Sequence, residues 1–202
     1  MDPAALGAGA FYSFLTSVLV PRPIAWVSTR SSEGVDNLAP HSFFTVASVD
    51  PPIVQFTSVG RKDSLINVEQ TGEFVICLAP EPLFEQVNAT GTDFPPDVSE
   101  FDAVGLEREP SLEVTPPRVA RSPVALECKL HTILTFGLGT VVMGRVVHAV
   151  IDEDALEHGR PAIDRLRPLA RLGANEWATL GQVREITRIS YREWPGHYKG
   201  SA

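Results

Sequence analysis

From Ile24 onward the chain is a succession of short apolar runs separated by turn residues, and this spacing limits its architecture more than any other feature. PIAWVSTR reads as a strand, SSEGVDN as a polar turn and HSFFTVASV as a second strand. Pro51-Pro52 interrupts, IVQFTSV resumes as a third, and EFVICLA is a fourth, reached through a short helix that ends near Gly72. In VALECKLHTILTFG, Val124, Leu126, Cys128 and Leu130 alternate with Glu127, Lys129 and His131, so the charged set turns to the opposite, polar face. TVVMGRVVHAVID is apolar on both sides, as befits a strand inside a closed barrel or at a subunit contact. The spacing predicts an antiparallel barrel, mainly β with peripheral helices. No GxGxxG follows a strand and no Walker-type loop is present, which sets Rossmann and P-loop folds aside.

The peripheral pieces are fewer. Phe11, Phe14, Leu15 and Val18 form an apolar stripe at helical spacing, expected to lie on the body, and EPLFEQVNATG reads as a helix stopped by Gly91. Thr92 to Arg121, rich in Pro, Asp and Glu, reads as a surface excursion, and VREITRIS as a last strand. At 202 residues the expectation is one domain, residues 1–202, with a core over about 10–182 and a C-terminal extension over 183–202.

Composition excludes several function classes. A net charge of −8 without a basic block argues against nucleic-acid binding. No apolar run approaches the roughly 20 residues that span a bilayer, and the N-terminus lacks the basic leader of a signal peptide, so a cytoplasmic location is expected. Cys77 and Cys128 lie in separate strand-like runs and read as buried free thiols. The five histidines (His41, His131, His148, His158 and His197) lack metal-ligand spacing, and no GxSxG elbow occurs.

Three segments could carry chemistry. GRKDSLINV places Arg61 and Lys62 just before a helix for which Asp63 or Ser64 is the N-cap, the end at which cations oppose the macrodipole. A bound phosphate would reverse that penalty, while a solvated surface pair is the plainer alternative. VPRPIAWVST ends in two hydroxyls, Ser28 and Thr29, or is simply a strand leading into a turn. Asn37-Leu38-Ala39-Pro40-His41-Ser42 precedes two phenylalanines. There a proline frees neighbouring backbone groups for a flat heteroaromatic, or merely marks an edge strand. Together they suggest a nucleotide-like cofactor with one terminal phosphate.

The ordered runs VPRPIAWVST, GVDNLAPHSFFTVASVDPPIVQFT, GRKDSLINVEQTGEFVICL, LECKLHTIL, VVMGRVVHAVID and RPLARLGANEWATLG resemble the flavin reductase-like family of FMN-binding split-barrel proteins. That resemblance implies a Greek-key split barrel, a homodimer, FMN as cofactor and NADH or NADPH as electron donor. It further implies delivery of electrons to a soluble small-molecule acceptor, such as a metal ion or quinone, or of reduced FMN to a partner monooxygenase; a non-catalytic FMN store or sensor is the alternative. Carried over by position, Arg61, Lys62 and Ser64 would hold the phosphate, with Asp63 capping the helix. Ser28 and Thr29 would lie by the ribityl chain or ring edge, and Asn37, Leu38, Ala39, Pro40, His41 and Ser42 along the isoalloxazine. His131 falls where the family carries a nicotinamide-site His, although Lys129 and Leu130 replace the usual Gly-Asp. Arg171 and Trp177 are candidates for lining the nicotinamide site or the pocket, within one subunit or across the dimer. No catalytic residue and no metal ligand is assigned.

Overall fold

The computed structural model describes residues 2–194. Seven strands form one antiparallel sheet: β1 (Ala25–Arg30), β2 (Asp36–His41), β3 (Phe44–Ser48), β4 (Ile53–Val59), β5 (Glu73–Leu78), β6 (Val124–Phe136) and β7 (Gly139–Ile151). Their order is β2-β1-β5-β6-β7-β4-β3. The two edge strands, β2 and β3, are thus consecutive in the chain, joined only by Ser42 and Phe43. Phe43 accepts a hydrogen bond from the Thr57 amide of β4 at 2.9 Å, so the link also holds the far side of the sheet. The sheet therefore curls into a barrel whose seam is this two-residue link, the split barrel expected from the sequence.

Four of the helices bear on the site and its surroundings: α1 (Ala8–Val18), α2 (Asp63–Thr71), α3 (Phe84–Ala89) and α4 (Glu100–Ala103). Among the described residues no helix is long and apolar enough to cross a membrane.

The reason PIAWV and FVICL read as unbroken apolar runs is that their strands are buried on both faces. Ala25 and Val27 of β1 enter the barrel interior with Val54, Phe56, Leu65, Val68, Phe74 and Val142. Ile24 and Trp26 turn the other way, into a second core with Leu38, Val75, Leu83, Val87, Phe101 and Leu169. Trp26 is fully buried, and its indole N–H donates to Thr90 Oγ1 at 2.8 Å, so the ring is covered without stranding its one polar atom. The backbone of β7 passes directly over the Phe74 ring. A Cβ on Gly144 would stand 2.2 Å from Phe74 Cζ, so any larger residue there must displace the ring.

The excursion from Thr92 to Arg121 lies across the second core instead of projecting into solvent, and this overturns the expected polar facing of Glu127. Its side chain is fully buried, and the carboxylate accepts the backbone N–H groups of Leu112 at 3.0 Å and Glu113 at 2.6 Å. Lys129 and His131 of the same set are exposed, because the excursion does not reach them.

Other expectations need amending. HSFFTVASV is not one strand: pairing starts earlier, at Asp36, and breaks at Ser42–Phe43 to form the seam. VREITRIS joins no ladder, and Val183 and Ile186 are exposed. The extension's residues 195–202, including His197, lie outside the described residues. Helix α1 forms, with Thr16 buried and Phe11 and Phe14 half-buried, while Leu15 and Val18 face outward, so only half of the stripe is covered by this chain. Along β7 buried and half-buried residues alternate up to Gly144, one face being the barrel interior.

Candidate functional site

The seam opens onto a cavity of about 200 Å³ bounded by β2, the Ser42–Phe43 link, the start of α2 and the loop after α3. Its construction begins with α2. The N-cap position is Lys62, in extended conformation and without a capping side chain, while Asp63 is the first helical residue. The expected cap by Asp63 or Ser64 is therefore not made. The amides of Asp63 and Ser64 have no carbonyl within the helix to receive them, whereas those of Leu65 and Ile66 both reach Lys62 O at 3.0 Å. Asp63 still favours the positive helix end from the first turn.

Beneath this terminus lies a closed polar network. Asn37 Nδ2 donates to Ser64 Oγ at 3.1 Å and to Thr29 Oγ1 at 3.2 Å, and Asn67 Nδ2 donates to the same Thr29 oxygen at 3.0 Å. Ser64 Oγ also lies 3.3 Å from His41 Nε2. Burial pushes the His41 imidazole down to about 4, with Lys62 lowering it further and a backbone bond to Thr57 opposing. The ring is thus neutral near pH 7. A neutral ring whose Nε2 accepts the Ser64 hydroxyl proton, while Ser64 accepts from Asn37, satisfies each group.

Along β2, Leu38 donates its amide outward from the edge to Glu100 Oε2 at 2.8 Å. Pro40, two residues on, occupies the next outward position, where no N–H is needed. Glu100 lines the cavity, and its carboxyl is shifted upward, mainly by burial, with the Leu38 bond opposing and Asp63 adding. Across the mouth, Lys62 Nζ lies 3.9 Å from the fully exposed carboxylate of Asp93.

The predicted residues divide cleanly. Asn37, Ala39, Pro40, His41, Ser42, Lys62, Asp63 and Ser64 all line this cavity. Arg61 does not; it is exposed and pairs with Glu69 at 2.6 Å. Thr29 sits below as part of the network, and Leu38 points into the second core against Phe101. Ser28 is fully buried, its hydroxyl without a hydrogen-bond partner, and reaches no cavity.

Arg171 and Trp177 line a second cavity of about 260 Å³, which shares Pro40, Ser42 and Gly91 with the first. His131 belongs to neither: it is the extra residue of a β-bulge where pairing slips from Leu130–Gly144 to Thr132–Met143, and it points to solvent. The sequence reading missed Thr90, Gly91, Asp93 and Glu100, which close the cavity from the loop after α3 and from α4. The signal present was NATG, read only as a helix stop.

The donor set fits a phosphate-bearing planar ligand. One end offers an uncapped helix terminus and Lys62; the other offers a proline-edged strand and the link at the seam. Two modest cavities sharing one wall make an elongated cleft, not a compact hole.

Comparisons with known proteins agree with that geometry. An uncharacterized protein of Halalkalibacterium halodurans is 35% identical over 200 residues, covering 93% of this chain and 95% of the relative. Nitrilotriacetate monooxygenase component B from Bacillus cereus superposes with a TM-score of 0.88 at 30% identity, over 92% of this chain and 97% of that one. The 2-nitrobenzoate 2-nitroreductase NbaA of Pseudomonas fluorescens gives 0.88 at 30% identity, over 95% and 96%. The family model described as flavin reductase like domain matches residues 17–170. With its barrel, seam and cavity, this chain belongs to the flavin reductase-like family.

Proposed function

We propose that the protein binds FMN in the seam cavity and serves as an NAD(P)H-dependent flavin oxidoreductase, passing electrons to a soluble acceptor or to a partner monooxygenase. The observation that carries the reading is the uncapped start of α2, with Lys62 beside it and Ser64 held from below by Asn37 and His41. Lys62 and the free backbone amides of Asp63 and Ser64 would hold the phosphate. Ala39 to Ser42 and Gly91 would border the ring. Bound FMN would supply the hydride chemistry, accepting from the nicotinamide and donating to the acceptor. The chain's own part is binding and orientation: the neutral His41 keeps a hydrogen-bond acceptor on Ser64, and Pro40 removes a donor from the ring-side edge.

Support for an acceptor-directed role comes from the two neighbours at 30% identity, one named as a monooxygenase component and the other as a nitroreductase. We also propose a homodimer, because Leu15, Val18, Leu19 and Val20 leave an apolar strip facing outward beside the cleft.

The test is a fluorescence titration with FMN and with riboflavin. Tight FMN binding and much weaker riboflavin binding are expected. Lys62→Ala should weaken FMN by roughly 1.5–3 kcal/mol, as a lost charge-assisted contact would, and Arg61→Ala by less. Equal affinity for the two flavins would remove the phosphate assignment. Anaerobic bleaching of the bound flavin by NADH or NADPH then separates an oxidoreductase from a flavin store.

A further inference from the structure

The second cavity has a chemistry of its own. Its one charged lining residue is Arg171, and no carboxylate lines it. Arg171 is paired in register with Arg22, and the two guanidinium groups are close enough that Arg171, after burial, lowers the pKa of Arg22. Neither takes part in an ion pair among the described residues, where the arginine bridges use Arg30, Arg61, Arg108, Arg118, Arg165 and Arg167. In a chain of net charge −8, two adjacent cations without a counter-ion are an uncompensated cost.

The two are used differently. Arg22 is spent on structure: it donates to the carbonyls of Thr16, Leu19 at 3.2 Å and Leu172 at 2.8 Å, and reaches Ser42 Oγ at 3.4 Å. Arg171 gives one N–H to Ala174 O at 2.8 Å, which leaves most of its fork free. Its guanidinium lies 4.6 Å from the centre of the Trp177 ring, and Trp177 is braced edge-on by Phe84 at 5.3 Å. The result is a flat, fixed aromatic wall carrying a planar cation. The Asn88 amide and the Ser42 hydroxyl complete the polar lining, and Gly91 separates this cavity from the first.

We propose that this cavity binds a planar aromatic carboxylate, its ring against Trp177 and its carboxylate on Arg171. The assignment is one of binding and stands apart from the flavin reading above. A fork-shaped cation selects a carboxylate over a neutral amide, and a stacked wall selects a flat ring over a puckered one. The shared wall at Pro40, Ser42 and Gly91 sets such a ligand directly beside the cofactor cavity.

The experiment titrates benzoate into the protein by calorimetry, with and without added FMN, alongside benzamide and cyclohexanecarboxylate. Benzoate should bind at least about tenfold more tightly than either control. Arg171→Gln should abolish that preference, and Arg171→Lys should restore only part of it. Trp177→Leu should erase the preference for the flat ring while keeping that for the charge. Thermal melts of each variant confirm folding, and Trp177→Leu keeps the test open should Arg171→Gln fail to fold. Equal binding of benzoate and benzamide, or an unchanged preference in folded Arg171→Gln, would overturn the proposal. So would the absence of benzoate binding in both forms. FMN uptake is read separately by absorbance, so loss of the flavin reading and loss of the carboxylate site are distinct results.

Discussion

Acidification should strip the FMN-free protein of stability through His41. Its imidazole is buried against Phe56, with ring centres 4.7 Å apart, and burial holds it down to about 4. In the unfolded chain it titrates near 6.5. Between those values the unfolded state binds the extra proton, so this contribution is fully present above about pH 6.5 and is lost as the pH falls toward 4. Integrated from about pH 7.5 to 4.5, the loss is about 2.5 kcal/mol.

The raw slope will be shallower, because Glu100 moves the other way. Its carboxyl is raised by burial, so its ionised form is penalised in the fold, and protonation relieves that penalty as the pH drops. The informative quantity is therefore the difference between wild type and His41→Gln, a variant that keeps an acceptor near Ser64 but does not titrate. Urea denaturation at both pH values gives it. Wild type should lose about 2.5 kcal/mol more than the variant on going from about pH 7.5 to 4.5. Equal losses, within about 0.5 kcal/mol, would refute the reasoning and mean that His41 is hydrated in solution.

Three further perturbations probe the frame. Gly144→Ala puts a methyl into the Phe74 ring and should cost roughly 1–3 kcal/mol in a urea melt, with partial rescue by Phe74→Leu. Glu127→Gln halves the acceptor capacity facing Leu112 and Glu113; a loss of roughly 1.5–3 kcal/mol and faster proteolysis between residues 107 and 121 are expected. Burial pushes the thiols of Cys77 and Cys128 up to about 12, so a maleimide should leave both unmodified in the folded protein at pH 8, and rapid labelling would contradict that burial.

The barrel could be read from the sequence because its strands obey local rules. Period-two alternation in VALECKL and the turn residues around SSEGVDN are decided within a few residues. What could not be read depends on distant chain. Glu127 looks solvent-facing until the excursion from 92 to 121 is laid over it, since nothing near it in sequence announces two waiting backbone amides. The break at Ser42–Phe43 is invisible in HSFFTVASV, because closing a barrel requires a corner that apolar patterning does not encode. Within the site, GRKDS marked the right helix, yet Arg61 and Lys62 are adjacent cations with no sequence-level distinction between them. Only the helix trajectory turns Lys62 to the cavity and leaves Arg61 to Glu69. Thr90, Gly91 and Glu100 were missed for the same reason: the first two come from the loop after α3, tied to Trp26, and the third from α4.

Strand β1 hands alternate side chains to the barrel interior and to the core under the excursion, so the two share a backbone. Neither hydrophobic mass can open while the other persists, because freeing Val27 from its neighbours means moving Trp26 out of its own. Amide exchange should accordingly find the barrel and its covering segment behaving as a single cooperative unit, with the most slowly exchanging N–H groups of both set by the same global event.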